Sequence, residues 1–238
     1  MLSDSSRLGA LELHRVNPGL LRGYLDARSA PVMANRELGF LSSVFAWGIG
    51  RDMVRNKDGR VLLENPCKAV ERNKEAPRSR YITDDEYRRL IEYAPIRVQI
   101  AMELAYLCRM RRGEVLSAKK SQVLPEGFDT LRTKGSKDTV TQWSPRLRQA
   151  VEAALSLPGV GSVCLLHDKR GQPIKDTTLN AAFEKTKRAT RLMDLTFHDI
   201  KAKGVSDATG SKKGAGGHKS EAMVLVYDRK KLVVPPTR

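Results

Sequence analysis

Residues 197–230 read FHDIKAKGVSDATGSKKGAGGHKSEAMVLVYDRK. Two helical stretches, 198–208 and 219–230, flank residues 210–217, GSKKGAGG, whose four glycines predict a loop. His198 and Lys201 lie three residues apart, and Lys203 follows two residues after Lys201. Lys203 points to another face. Gly217-His218 ends the glycine loop, and Tyr227 follows nine residues after His218. Two helices joined by a mobile turn thus gather two histidines, a lysine and a tyrosine.

Upstream, residues 127–133 (GFDTLRT) and 138–143 (DTVTQW) flank Lys134-Gly135-Ser136-Lys137 and predict a hairpin with a glycine turn. Helices are predicted over 84–94, 96–107, 111–118, 145–156 and 176–192. Thr83 with Glu86 makes a capping box for the first, and Asp176 is a candidate cap for the last. Residues 162–167 (SVCLLH) predict a short strand or buried segment. Nearer the start, 17–28 and 33–54 read as helices, and Asn65-Pro66 breaks the pattern. Residues 71–80 (ERNKEAPRSR) are polar with a central proline, the composition of a linker. The expected fold is mainly α with a small antiparallel β-sheet, an α+β class.

Length and composition narrow the function. The 238 residues carry 43 Lys+Arg against 27 Asp+Glu, a formal net charge of +16. Residues 1–72 hold 11 basic and 8 acidic side chains; residues 73–238 hold 32 and 19. A polyanionic partner is expected, chiefly on the second part. With 40% hydrophobic and 29% charged residues the chain is neither disordered nor a fibrous repeat. No apolar run approaches the roughly 20 residues of a membrane helix. The start has no secretory pattern. Three dispersed cysteines form neither a disulfide framework nor a metal motif.

Taken singly, each polar motif has a plain reading. An Arg-Arg pair is usually a solvated face, a Lys-Gly turn only a turn, a histidine a cap, a tyrosine a packing aromatic. Their order is more specific. Arg111 with Glu114, Lys134 in a turn, His198 with Lys201, Gly217-His218, then Tyr227 resembles the tyrosine recombinase, or phage integrase, family. Residues 34–50, Asn65-Pro66 and 80–86 (RYITDDE) are similar to that family's core-binding domain and domain junction.

The resemblance implies a site-specific recombinase that cleaves and rejoins duplex DNA through a 3′-phosphotyrosyl intermediate, in integration of a phage or mobile element. Residues 1–72 would be a helical, SAM-like core-binding domain, 73–81 a linker, and 82–238 the catalytic domain. Tyr227 would be the nucleophile. Arg111, His198, Lys201 and His218 would serve the phosphate and its protons. Lys134 would be the acid for the leaving group, with Lys137 as second choice, and Glu114 would support Arg111. Arg112, Lys137, Lys203 and Lys219 would contact DNA. No metal and no cofactor are implied, since a basic pocket supplies donors for the developing charge and a proton for the 5′ oxygen. The partners would be double-stranded attachment sites, three further copies in a tetramer on DNA, and accessory DNA-bending factors. The protein would be a monomer in solution, in a bacterial cytoplasm.

Two positions depart from the pattern. Lys201 stands where arginine is usual and keeps the charge without the bidentate fork. Arg109 stands where glycine is common. The short start also resembles an integrase lacking its arm-binding domain. The rival readings are a remnant that binds DNA without cutting it and a type IB topoisomerase-like enzyme.

Overall fold

Asn17 opens the first helix. Its side chain accepts from the Leu20 N–H at 3.0 Å, and Pro18 follows with no N–H to satisfy. This computed structural model describes residues 11–133, 135–159, 161–217 and 220–230. Two units divide the chain, Met1–Pro77 and Arg78–Arg238.

In the first unit, α1 (Pro18–Ala27) buries Leu21 and Leu25 against α2 (Pro31–Ile49). Helix α2 starts two residues earlier than 33, because Pro31 suits a first helical position. It ends five residues before 54, where the chain turns through Asp52 with φ of +52°. Ala34, Leu38 and Phe45 complete a small core with Val54, Cys67 and Val70. Part of the stretch read as a linker is pinned here. Buried Asn35 donates to the Asn73 carbonyl at 2.8 Å and accepts from the Asn73 N–H at 2.9 Å, and Arg22 donates to the Glu71 carbonyl at 2.8 Å. Those bonds satisfy polar groups that burial would otherwise leave unpaired.

The second unit is built around α4 (Ile96–Leu107), which buries Val98, Ile100, Ala101, Met102, Leu104 and Ala105. Its neighbours are α3 (Asp84–Tyr93), α5 (Arg112–Leu116), α6 (Pro145–Leu155), α7 (Asp176–Thr190) and α8 (Phe197–Ser206). The Thr83–Glu86 capping box forms, with both reciprocal bonds made. For α7 the N-cap is Lys175, and Asp176 falls in the first turn instead.

Strands β1 (Gly127–Thr130) and β2 (Thr139–Gln142) pair antiparallel, Thr130 opposite Thr139. The ladder stops short of residues 131–133, because the Arg132 side chain turns inward and its N–H bonds Asp138. Residues 162–167 form no strand of their own; Cys164 makes an isolated bridge with Lys119. The glycine loop holds a short helix, α9 (Lys212–Gly216), started by Ser211 and closed by Gly217 at φ of +64°. The last helix among the described residues, α10 (Glu221–Tyr227), ends on the tyrosine.

Helix α8 reaches the core only because it carries a glycine at 204. A Cβ there would lie 2.1 Å from the Tyr106 carbonyl oxygen of α4. Backbone cannot give way as a side-chain tip can. Gly204→Ala is therefore expected to lower stability by about 3 kcal/mol, read as a fall in melting temperature. An unchanged melting temperature would show that α4 and α8 can separate freely.

Candidate functional site

The site begins with a buried carboxylate. Glu114, 1% exposed, sits in the first turn of α5. It accepts from the Arg111 N–H at 2.7 Å and from Arg111 Nη1 at 2.7 Å. The Thr133 N–H and hydroxyl both reach it at 3.1 Å, and Arg132 Nη1 at 3.4 Å. Burial works to raise its pKa. The donated hydrogen bonds and the nearby Lys201 charge outweigh that and hold it at about 2. Glu114 is thus a fixed negative charge that aims Arg111, whose Nη2 also donates to Ser136 Oγ at 3.1 Å.

Arg132 was invisible as a site residue in the sequence. Its side chain has no exposed surface. It donates to the carbonyls of Arg109 at 2.6 Å and Cys108 at 2.9 Å, and to Thr139 Oγ1 at 3.1 Å. It therefore ties the hairpin to the turn that precedes Arg111. In that turn Arg109 takes φ of +52°, the left-handed region that glycine enters without strain. The local sequence carried no signal of burial for Arg132, since the two carbonyls it fills, of Cys108 and Arg109, lie 24 and 23 positions back.

Helix α8 supplies the next pair. Thr196 and Asp199 cap its start by exchanging hydrogen bonds. His198 faces outward, and its ring lies 5.3 Å from that of Tyr227, tilted 57°. Surrounding protein first, then the Lys201, Arg229 and Arg111 charges, push its pKa below the ordinary histidine value. Lys201 lies beneath, fully buried, with Nζ 5.4 Å from the Tyr227 ring centre. Among the described residues Lys201 Nζ has no hydrogen-bond partner. Burial, then the Arg111 and Arg132 charges, drive its pKa down to about 7.

A cavity of about 810 Å³ opens over these groups. Arg111, Ser136, His198 and Tyr227 line it, with Met223 at one wall and Asn180 at another. Tyr227 is only 6% exposed, packed on Ala202 and Val205. Arg112 also lines the cavity but is tethered to α7, by Asp176 at 2.6 Å and Asn180 at 3.0 Å. Lys137 is exposed on the hairpin turn, and its N–H donates to the Gly217 carbonyl at 3.3 Å. Lys134, His218 and Lys219 lie outside the described residues.

Lys203 is a correction. Expected on DNA, it is 1% exposed and its ammonium is held by Asp84, Asp207 at 2.8 Å and the Tyr81 hydroxyl at 3.2 Å. Those partners raise its pKa and occupy its three donors, so it serves the interior of the fold. Among the described residues no cluster of three metal-ligating side chains occurs, and no helix is long and apolar enough to cross a membrane.

The cavity lined by Arg111, Ser136, His198 and Tyr227 is the candidate site. Residues 80–231 match the model of the phage integrase family, and the chain belongs to that family of tyrosine-type site-specific recombinases. Three solved structures share its fold. A λ integrase dimer bound to a COC′ core site is 20% identical, with a TM-score of 0.74 over 98% of this chain and 71% of that one. A λ integrase tetramer bound to a Holliday junction is 18% identical, with a TM-score of 0.70 over 91% and 68%. The Tn1549 transposon integrase (residues 82–397 of that protein) with circular intermediate DNA is 13% identical, with a TM-score of 0.66 over 95% and 85%. No curated protein matches the chain.

Lys201 makes the site costly to fold. Its folded pKa lies below its unfolded value of about 10.5. The cost is therefore full below about pH 7 and fades as pH rises toward 10.5. Lys201→Met should raise the melting temperature, by more at pH 6 than at pH 9.5. An equal gain at both pH values, or a loss, would mean that Lys201 is not buried beside like charges.

Proposed function

We propose that this recombinase cuts duplex DNA with Tyr227 and holds the severed end as a 3′-phosphotyrosyl ester. The observation that carries the proposal is the convergence of Tyr227, His198 and Arg111 on one cavity, with Lys201 under the tyrosine ring. The Tyr227 oxygen attacks the scissile phosphorus, and the bond from phosphorus to the 5′ oxygen breaks. His198, whose surroundings lower its pKa and so favour the neutral ring, accepts the phenol proton. Arg111 presents a planar fork to the non-bridging oxygens. Lys201 adds positive charge behind the ring. The 5′ oxygen leaves with a proton from the hairpin turn, from Lys134 by resemblance to the family. A 5′ hydroxyl from another strand reverses the steps, so the bond energy is kept.

Several finer roles belong to the same proposal. The unit of residues 1–77 binds core DNA, and Tyr227 acts within a tetramer on two sites. The reaction integrates or excises a phage or another mobile element in the cytoplasm, with accessory bending factors. The λ and Tn1549 proteins of similar fold are described on core-site, Holliday-junction and circular intermediate DNA. The net charge of +16 supports a phosphate-dominated grip.

The test uses nicked duplexes taken from the junctions that flank the gene. A protein–DNA adduct is expected on a denaturing gel, absent in Tyr227→Phe, while binding by that variant stays within about two-fold. Binding to intact duplex should weaken about 10³-fold or more between 50 and 200 mM salt. Salt-sensitive binding with no adduct would contradict the proposal and leave a DNA-binding remnant.

A further inference from the structure

Helix α10 has little to hold it. It is seven residues long, too short to be stable alone, and buries only Val224 and Tyr227. Leu225 is 77% exposed. The end of this helix is nevertheless fastened at several points, at Tyr227 and just beyond it.

Ser206, the last residue of α8 and 4% exposed, makes the first fastening. Its hydroxyl donates to the Tyr227 carbonyl at 2.9 Å and accepts from the Arg229 N–H at 2.7 Å. The Arg229 guanidinium makes the second. It is 5% exposed, pairs with the fully buried Asp199, and donates to the Arg80 carbonyl at 3.1 Å. Asp199 is adjacent in sequence to His198, whose ring lies against that of Tyr227. A third pair, Lys212 with Asp228 at 2.6 Å, joins the same segment to α9.

We propose that Arg229, Asp199 and Ser206 form a latch that sets Tyr227 over the cavity in the same chain. They are positioning residues, and the proposal rests on Tyr227 being the nucleophile. Two ends of α8 are used: its first turn through Asp199 and its last residue through Ser206. The nucleophile is thereby referenced to the helix that carries His198 and Lys201. Releasing the latch leaves α10 with two buried side chains, and the tyrosine then samples positions away from the phosphorus. A misplacement of about 1 Å can cost about 10²-fold in rate.

Arg229→Met is the test, because the fold should survive it. Asp199 keeps Arg78, with both oxygens at 2.9 Å, and the Thr196 N–H at 2.8 Å. On the nicked duplex, Arg229→Met should form adduct about 10- to 100-fold more slowly, with DNA affinity within about two-fold. Arg229→Lys should recover part of the rate, since it restores one donor to Asp199. Replacing the bridging 5′ oxygen by sulfur removes the need for a proton on the leaving group, and the Arg229→Met defect should persist on that substrate. Hydrogen exchange over residues 221–230 in the DNA-free protein should accelerate in Arg229→Met but not elsewhere. An unchanged adduct rate for Arg229→Met overturns the latch, whatever exchange shows. If the wild-type protein forms no adduct, the reading of Tyr227 fails instead, and unchanged exchange over 221–230 overturns the latch on its own.

Discussion

The negative charge of Glu114 is the constraint on which the site depends. A carboxylate 1% exposed is costly unless every lone pair is used. Here five donors use them, from Arg111, Arg132 and Thr133. The same bonds fix the turn before α5, the direction of Arg111 and the foot of the hairpin turn. One side chain thus couples two segments that converge on the cavity. Arg132 completes the coupling from the other side, by filling the carbonyls of Cys108 and Arg109.

Around this carboxylate the fold crowds three cations, Arg111, Arg132 and Lys201, two of them without exposed side-chain surface. Like charges in a low-dielectric site repel, and Glu114 offsets only part of that. Burial first, then the Arg111 and Arg132 charges, lowers the pKa of Lys201. Such strain is expected where a protein awaits an anion, because the ligand relieves it. A lysine in place of the family's usual arginine adds one difference. Arginine is charged at every working pH, whereas this lysine titrates near neutrality, so its charge depends on what fills the cavity.

Much of the fold was legible because it is local. Thr83 with Glu86 and the hairpin are patterns of a few residues; the capping box forms as expected, and the hairpin forms with shorter strands. His198 and Lys201 both lie near the Tyr227 ring from α8. What escaped depends on contacts distant in the chain. Lys203 reads as one more surface base until Asp84, 119 positions away, is brought beside it. Arg132 reads as a strand residue until the Cys108 carbonyl is found to need a donor. Arg229 carries no motif, and only the packing of α10 on α8 shows its pairing with Asp199. The glycines of 210–217 suggested only a loop, yet Ser211 supplies a cap and Gly217 a left-handed ending, enough for a short helix.

The most direct measurement is the cleavage rate of Glu114→Gln on a nicked duplex, beside its affinity for the same DNA. Glutamine keeps the shape of the side chain but replaces one acceptor by a donor that faces other donors. If the buried charge organises the site, adduct formation should fall about 10²-fold or more, with DNA affinity within about three-fold. A folded Glu114→Gln protein that cleaves at the wild-type rate would contradict it.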